Sequence, residues 1–381
     1  MSKLTLKQMM LNEIEAAPRG LAEELAKIAG YSSGTNFTRT LKDPDKDIEK
    51  LDGFFKVALH LFPNEYEELL KNFVDEINPK RITARLCLEY LTLYHMYELK
   101  EALLNRMLTS NSRDVIDFAS VYHVQHLYEM KKLDFSDAIC KLNSYSNSKP
   151  EVKSFAKISQ IYCYYAIRDI TMLKLQLDEL ESEISNIKNA FIRNSYMGRL
   201  FRIKVDISFH SGNIGDLLEQ IFILDKALDP TKSMTYLQIG NSYMLKSFDK
   251  AMEFYKKALE CKNNKTEQQI KQSINFISCL WNKVDNFCSD GTMSNDLFYY
   301  ARTNNKAMAE DILDNIDFEK LNNHQKAFNH YYRGILENNK YHFYKSIEFF
   351  NKAGEKFYKL IPIMELKKLG ENEVILEALS A

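Results

Sequence analysis

The chain has 381 residues, of which 45% are hydrophobic, so it is long enough for two or more domains and too apolar to be largely disordered. Its 12 glycines and 7 prolines are few for this length, which disfavours turn-rich β architectures and favours helices joined by short loops. The formal net charge of -1 excludes a global attraction to nucleic acid or membranes, so any such binding must come from a local patch.

Nothing in the sequence indicates secretion or membrane insertion. The six cysteines are scattered, without a Cys-x-x-Cys pair or zinc spacing, which is typical of reduced thiols in a cytosolic protein. The N-terminal run MSKLTLKQMMLNEIEAAPRG carries acidic residues among its apolar ones, unlike a signal peptide. No stretch of about 18 uncharged apolar residues occurs. We therefore expect a cytoplasmic protein with no membrane partner.

The first helices have the pattern of a helix-turn-helix. An amphipathic helix is predicted first, and a short alanine-containing helix follows it. Gly30 suits the left-handed conformation that often ends a helix. Ser32 or Ser33 can then cap a second short helix, which runs to about Leu41. These elements together predict a DNA-binding helix-turn-helix domain over residues 1–62.

The second of these short helices has the composition of a DNA-reading helix. No acid occurs between Tyr31 and Lys42, where small polar and cationic side chains predominate, and such residues contact phosphates and base edges. Phe37 and Leu41 are predicted to face the core, with Thr40 on the opposite, polar face. A polar surface helix in a small helical domain is the alternative interpretation. The candidate DNA-contacting residues are Ser33, Thr35, Asn36, Thr38, Arg39 and Lys42.

The rest of the chain is predicted to form helices joined by short polar turns. Two stretches, 234–259 and 330–357, have the spacing of tetratricopeptide hairpins. In the first, Gly240 and Ala251 let two antiparallel helices approach closely, with aromatic side chains beside them. The equivalent positions of the second are Gly334, Ser346, Phe350 and Ala353. We therefore predict an all-α protein, in which a degenerate, right-handed, tetratricopeptide-like solenoid over residues 63–360 senses a peptide.

Residues 361–381 are predicted to form one apolar C-terminal helix. Solenoids need a cap at each end, so this helix either caps its own solenoid or forms a dimer interface, and the two alternatives stand equal. A homodimer would also help an N-terminal domain of low net charge to bind DNA. The apolar residues for either role are Ile363, Leu366, Leu369, Leu376 and Leu379.

The sequence contains none of the motifs that mark common catalytic or phosphate-binding sites. His123 and His126 lie three residues apart on a predicted helix, but no acid or cysteine stands at ligand spacing. Helix packing is therefore favoured over a metal site. We predict that the chain is not an enzyme and has no catalytic residues, metal or cofactor.

A solenoid of this type has a concave groove lined by the first helix of each pair. A peptide bound there needs partners for its backbone amides, and Asn and Gln side chains donate and accept hydrogen bonds at once. Arg202 and Asp206 are four apart, and could pair with each other or bind a peptide terminus and a charged side chain. The alternative is that each candidate is an ordinary exposed polar residue. The candidate peptide-binding residues are Arg202, Asp206, Gln238, Asn241, Asp296, Tyr299, Asn329 and Arg333.

Residues 239–259, 328–357 and 360–372, together with Trp281, resemble the peptide-pheromone receptors of Gram-positive bacteria and their phages. Within that group the chain is similar to the arbitrium receptor (AimR) family of Bacillus phages, most strongly after residue 190. The resemblance implies a dimeric, cytoplasmic transcriptional regulator that binds double-stranded operator DNA and controls the choice between lysis and lysogeny. It also implies a secreted, re-imported hexapeptide that switches the regulator off.

The resemblance also bears on individual residues. Asn241 and Asn329 match peptide-contacting positions of the family. A family arginine before the Gly-Asn-Ser-Tyr segment has no match here, because the corresponding stretch DPTKSMTY contains only Lys232. We therefore expect the peptide or its contacts to differ. A helical scaffold that binds protein partners and no DNA is the alternative function.

Overall fold

The structure is a computed structural model that describes residues 4–167, 170–211, 215–261 and 264–380. Within these ranges every regular element is a helix, which confirms the predicted all-α class. No helix among them is both long and apolar enough to cross a membrane. In chain order the α-helices are α1 (Leu6–Ala16), α2 (Leu21–Ile28), α3 (Gly34–Lys42), α4 (Leu51–Leu61), α5 (Tyr66–Glu76), α6 (Ile82–Leu93), α7 (Tyr97–Leu108), α8 (Arg113–Glu129), α9 (Phe135–Asn143), α10 (Pro150–Ala166), α11 (Ile170–Ser185), α12 (Ala190–Ser211), α13 (Gly215–Leu218), α14 (Asp229–Tyr243), α15 (Phe248–Glu260), α16 (Asn264–Leu280), α17 (Met293–Arg302), α18 (Lys306–Asp314), α19 (Asn323–Glu337), α20 (Lys340–Ala353), α21 (Leu360–Lys368) and α22 (Glu373–Ser380).

The chain divides into two compact units. Unit 1 comprises Met1–Phe201 and Phe222–Thr231, and unit 2 comprises Arg202–Ile221 and Lys232–Ala381. The predicted helix-turn-helix therefore belongs to the same unit as the helices that follow it. Both predicted tetratricopeptide hairpins lie in unit 2.

In unit 1, α2 and α3 form the predicted helix-turn-helix. Gly30 adopts φ +73° between them, and the Ser33 hydroxyl caps α3 by accepting a hydrogen bond from the Asn36 amide at 3.2 Å. A Cβ on Gly34 would lie 2.9 Å from the carbonyl carbon of Ala22, so only glycine lets α3 begin this close to α2. The local sequence thus determines both the turn and the separation of the two helices.

The buried face of α3 is larger than predicted. Phe37 and Leu41 are buried as expected. Thr40 was predicted on the polar face, and this is wrong: its side chain is 2% exposed. Its hydroxyl donates to the Asn36 carbonyl at 3.1 Å, which satisfies the polar group inside the domain. A threonine can be buried here because the helix backbone supplies an acceptor for its hydroxyl group.

Polar contacts join the helix-turn-helix to α6 within unit 1. The Thr83 hydroxyl accepts from the Ile48 amide at 2.9 Å and donates to an Asp47 carboxylate oxygen at 2.8 Å. The Arg81 guanidinium donates to Asp45 at 2.8 Å. The loop after α3 is thereby held on the N-terminal end of α6, so the orientation of α3 is coupled to that helix.

A buried ion pair connects α6 to α12 in the interior of unit 1. Arg199 donates from Nε and Nη2 to the two carboxylate oxygens of Glu89, each at 2.9 Å, and both side chains are almost fully buried. The hydroxyls of Ser195 and Tyr122 also donate to this carboxylate, the latter at 2.8 Å. Burial, followed by the Glu89 charge, raises the pKa of Tyr122 well above its ordinary value, so the phenol stays a neutral donor.

Glu89→Gln should destabilise the protein by about 3–5 kcal/mol, because it leaves the Arg199 guanidinium buried without a counter-charge. Urea unfolding followed by circular dichroism measures the effect. Glu253→Gln is the matched control, since it breaks a solvent-exposed pair with Lys257 and should cost about 1 kcal/mol or less. Equal losses in the two variants would contradict the assigned importance of the buried pair.

The two tetratricopeptide-like hairpins of unit 2 are present as predicted, as α14–α15 and α19–α20. A Cβ on Gly240 would lie 2.5 Å from the Tyr255 ring, and a Cβ on Gly334 would lie 2.8 Å from the ring of Phe343. Ser346 and Phe350 are buried, but the aromatic ring against Gly334 is Phe343, which the repeat pattern did not single out. In both hairpins a glycine allows one helix to lie directly on an aromatic ring of the next.

Gly240→Ala should destabilise unit 2 by about 1–3 kcal/mol, since the new methyl group overlaps the Tyr255 ring and the helices must separate. This loss outweighs the gain of about 1 kcal/mol that alanine normally brings to a helix. Thermal unfolding measures it. Gly215→Ala is the control, because a Cβ there meets nothing within 4 Å. A Gly240→Ala variant as stable as the wild type would rule out the close approach.

The C-terminal segment differs from the single predicted helix. It forms two helices, α21 and α22, because Gly370 adopts φ +72° between them and the Asn372 side chain accepts from the Val374 amide at 2.9 Å. Arg302 and Lys368 both bind the Glu365 carboxylate, the latter at 3.1 Å, and this ties α21 to α17.

The candidate dimerisation residues of this segment lie mostly inside unit 2. Ile363, Leu366 and Leu376 belong to its buried core, and Leu369 and Leu379 pack against that core. This placement favours the capping role that the sequence left open. It leaves Val374 and Ile375 as large exposed apolar side chains of α22.

Candidate functional site

The predicted DNA-contacting residues form one polar surface on α3. Thr35, Arg39 and Lys42 are exposed, and Ser33, Asn36 and Thr38 are half-buried. Their polar groups are partly engaged: Arg39 donates to the Asn36 side chain at 2.5 Å, and Thr38 donates to the Gly34 carbonyl at 2.8 Å. Lys42 lies 3.7 Å from Glu15 in a solvent-exposed pair, which costs little to break. The surface offers cationic and hydroxyl groups of the kind that contact DNA.

Unit 2 contains a cavity of about 430 Å³ between its helices. The side chains that line it come from α14, α16, α17 and α19, together with Tyr358 near the start of α21. A volume of this size is typical of small-ligand sites. The lining residues are Met234, Leu237, Gln238, Asn241, Met244, Gln269, Gln272, Ser273, Phe276, Thr292, Ser294, Asn295, His324, Phe328 and Tyr358.

Carboxamide side chains dominate the polar part of this lining. The Asn241 Oδ1 accepts from the Tyr255 hydroxyl at 2.8 Å, and its Nδ2 donates to Gln238 Oε1 at 3.2 Å. Gln272 donates to the Thr292 hydroxyl at 2.9 Å, and Asn295 donates to the Gln272 carbonyl at 3.1 Å. These bonds orient the side chains before any ligand arrives.

The other side of the cavity is aromatic. Phe328 lies edge-to-face with Phe276 and His324, with ring centroids 5.6 Å and 5.0 Å apart. Tyr358 packs against both α19 rings, with its ring centroid 5.7 Å from that of Phe328 and 5.5 Å from that of His324. A ligand in the cavity would therefore meet amides on one side and aromatic carbon on the other.

Comparison with known proteins places this site in a family. Residues 66–368 match the family described as AimR transcriptional regulator-like, and this range includes every residue that lines the cavity. The chain belongs to the AimR transcriptional regulator-like family. It is therefore a transcriptional regulator and not an enzyme, and the resemblance seen in the sequence is confirmed.

The relatives of this AimR-family chain match it along most of its length. It is 26% identical to the AimR transcriptional regulator of Bacillus phage phi3T, over 98% of the chain and 100% of the relative. It is also 26% identical to the AimR transcriptional regulator of Bacillus phage SPbeta, over 94% and 95%. The solved structure of SeMet-phAimR has a TM-score of 0.84 at 26% identity, covering 99% of this chain and 100% of its own. A second structure, phAimR-Ligand, shows the same fold with a TM-score of 0.65 at 23% identity, covering 86% and 99%.

Only part of the cavity lining of this AimR-family chain is predictable from its sequence. Among the described residues, the lining includes Gln238 and Asn241 from the predicted peptide-binding set. The predicted set does not include α16, which contributes Gln269, Gln272 and Phe276 to the lining at helical spacing. That recurrence is a detectable signal, but α16 lacks the small and aromatic positions of a tetratricopeptide repeat and was not recognised as a groove helix.

The other predicted residues already have partners outside the cavity lining. Asn329 is 5% exposed and accepts from Arg333 Nε at 3.1 Å. Asp296 accepts from the Ser289 hydroxyl at 2.7 Å. Tyr299 stacks on Phe287, with ring centroids 4.4 Å apart. Asn329 and Asp296 directly follow the lining residues Phe328 and Asn295 in sequence but do not themselves line the cavity.

Arg202 and Asp206 form the predicted pair on α12, although the contact is loose. Arg202 Nε lies 3.8 Å from Asp206 Oδ2, and the Asp206 side chain is 16% exposed. Burial raises the pKa of Asp206 to about 6, against the lowering effect of the Arg202 charge. The carboxylate is thus held in a position that is unfavourable for its charged form.

Asp206→Asn should stabilise the protein at pH 7 but not at pH 4. The folded-state pKa lies above the unfolded one, so wild-type stability falls as the pH rises from about 4 to about 6 and the buried group ionises. The advantage of the neutral variant should reach about 3 kcal/mol above pH 6. Urea unfolding at several pH values measures it, with the exposed Asp249→Asn as control. A pH-independent difference would contradict the raised pKa.

Proposed function

We propose that this chain is a peptide-responsive regulator that controls a phage's choice between lysis and lysogeny in the host bacterial cytoplasm. Residues 1–62 would bind operator DNA, residues 63–360 would sense the peptide, and residues 361–381 would cap the solenoid or contribute to a homodimer. The observation that carries the proposal is the carboxamide-lined cavity of unit 2, within a family of transcriptional regulators.

The ligand is a short peptide of about six residues. An extended peptide of this length spans roughly 20 Å, so the cavity takes one part of it and the flanking residues meet the rest. Peptide amides need a donor and an acceptor at each residue, and carboxamides such as Gln238 and Asn241 provide both. Asp296, Asn329 and Arg333 are proposed as the flanking contacts.

The helix that would contact operator DNA is α3. Its exposed residues Thr35, Arg39 and Lys42 would contact phosphates and base edges, with Ser33, Asn36 and Thr38 beside them. A homodimer would present two such helices to two half-sites. Apolar side chains of α22, including Val374 and Ile375, are available for the dimer contact.

Switching follows from differential affinity. A peptide can shift the regulator between two shapes only if it binds one shape more tightly than the other. If the DNA-competent dimer is the shape with the lower peptide affinity, the peptide would change the half-site spacing and release the operator. This accounts for a signal that switches the regulator off.

Binding of the full-length protein to DNA upstream of the neighbouring phage gene tests the proposal, with and without the hexapeptide encoded downstream. Arg39→Ala should weaken operator binding by about tenfold or more and leave peptide binding unchanged. Gln238→Ala should preserve operator binding and weaken the response to peptide. Arg113→Ala, which removes a cation that is 85% exposed on α8, and Gln268→Ala, an exposed residue of α16, are the matched controls.

Three outcomes separate the candidate functions. Operator binding that is lost on adding peptide supports the proposal. Operator binding that ignores the peptide would leave a DNA-binding protein and eliminate the sensor. A protein that binds no operator under any condition would instead favour the helical scaffold.

A further inference from the structure

The described lining of the unit 2 cavity contains no Lys, Arg, Asp or Glu among its fifteen residues, which is unusual for this chain. Charged residues make up 27% of the chain, so fifteen residues of average composition would include about four. The one imidazole in the lining, His324, has its Nδ1 buried at 3.7 Å from Glu355 Oε1. The described lining is therefore polar but contains no carboxylate, ammonium or guanidinium group.

Several carboxamide atoms of this lining remain available to a ligand. The Gln269 side chain forms no hydrogen bond within the described part of the chain, and it is exposed where it lines the cavity. Gln272 uses its Nε2 for Thr292, which leaves its Oε1 as an acceptor. Asn295 uses its Nδ2 for a backbone carbonyl, which leaves its Oδ1. Donors and acceptors are thus both free, as a peptide main chain requires.

A charged ligand group in this cavity would lose part of its hydration and would find no Lys, Arg, Asp or Glu among the described lining residues. Carboxamides compensate a buried charge only partly, whereas they satisfy a neutral amide fully. The aromatic side formed by Phe276 and Phe328 adds apolar surface and offers no ionic partner. The cavity therefore discriminates against charge at the ligand positions that contact its lining.

We infer that the cavity selects a peptide segment without charged side chains, whose main chain is read by Gln238, Gln269, Gln272 and Asn295. Any charged residue of the signal must then lie outside the cavity. This inference rests on the proposed function, because it assumes that the ligand is a peptide. It adds the chemical class of the enclosed segment and the residues that define it.

Hexapeptide pools with free termini test the inference. In each pool one position is Lys, Glu or Ala, and the other five are a mixture of neutral residues. The full-length protein is mixed with each pool, and captured peptides are quantified by mass spectrometry. At a run of adjacent positions the Lys and Glu pools should be captured at least about tenfold less than the Ala pool, because a partly desolvated charge has no ionic partner in the described lining.

Gln269→Glu places a negative charge in the lining, and the glutamate side chain has almost the same shape as the glutamine side chain it replaces. This variant should recover capture of the Lys pool at one of those positions by about tenfold and should not recover the Glu pool. Gln268→Glu is the matched control, since it places the same charge on the exposed side of the same helix, outside the lining. It should recover neither pool.

The outcomes distinguish this inference from the proposed function. Capture of charged and Ala pools to the same extent at every position would overturn the neutral-segment inference and leave the peptide receptor intact. Recovery by Gln268→Glu as strong as by Gln269→Glu would overturn the assignment of Gln269 to the site. Failure to capture any peptide from any pool would overturn the peptide receptor, and the inference with it.

Discussion

The ion pair between Glu89 and Arg199 is the constraint on which unit 1 depends. A carboxylate and a guanidinium this deeply buried are stable only when every polar atom has a partner, and Ser195 and Tyr122 complete the set. The pair joins helices that are 110 residues apart in sequence. It thus fixes α6 against α12, and residues at the start of α6, Arg81 and Thr83, bind the loop that follows α3.

Unit 2 is held together by a different kind of contact, and it also contains a cavity. Its hairpins are drawn together by glycines that lie on aromatic rings, Gly240 on Tyr255 and Gly334 on Phe343. These contacts lie between the two helices of each pair. The first helices of these pairs, α14 and α19, also contribute side chains to one cavity, together with α16. Recognition can therefore evolve through the lining while the glycine contacts maintain the scaffold.

The proposed DNA-contacting residues and the cavity share one feature, which is that local hydrogen bonds orient their polar groups before binding. On α3, Arg39 is held by Asn36, and in the cavity Asn241 is held by Tyr255. Orientation of this kind lowers the conformational entropy that a partner would otherwise have to remove.

The sequence by itself determined the helical class, the turn at Gly30, the cap at Ser33 and both glycine-based hairpins, because each depends on residues close together in the chain. The tertiary structure alone decided which polar side chains meet. The Glu89–Arg199 pair and the contribution of α16 to the cavity join distant segments, and no local pattern records such a distance. Thr40 and the C-terminal leucines show the same limit, since helical periodicity assigns a face but only the packed neighbours decide whether that face is buried.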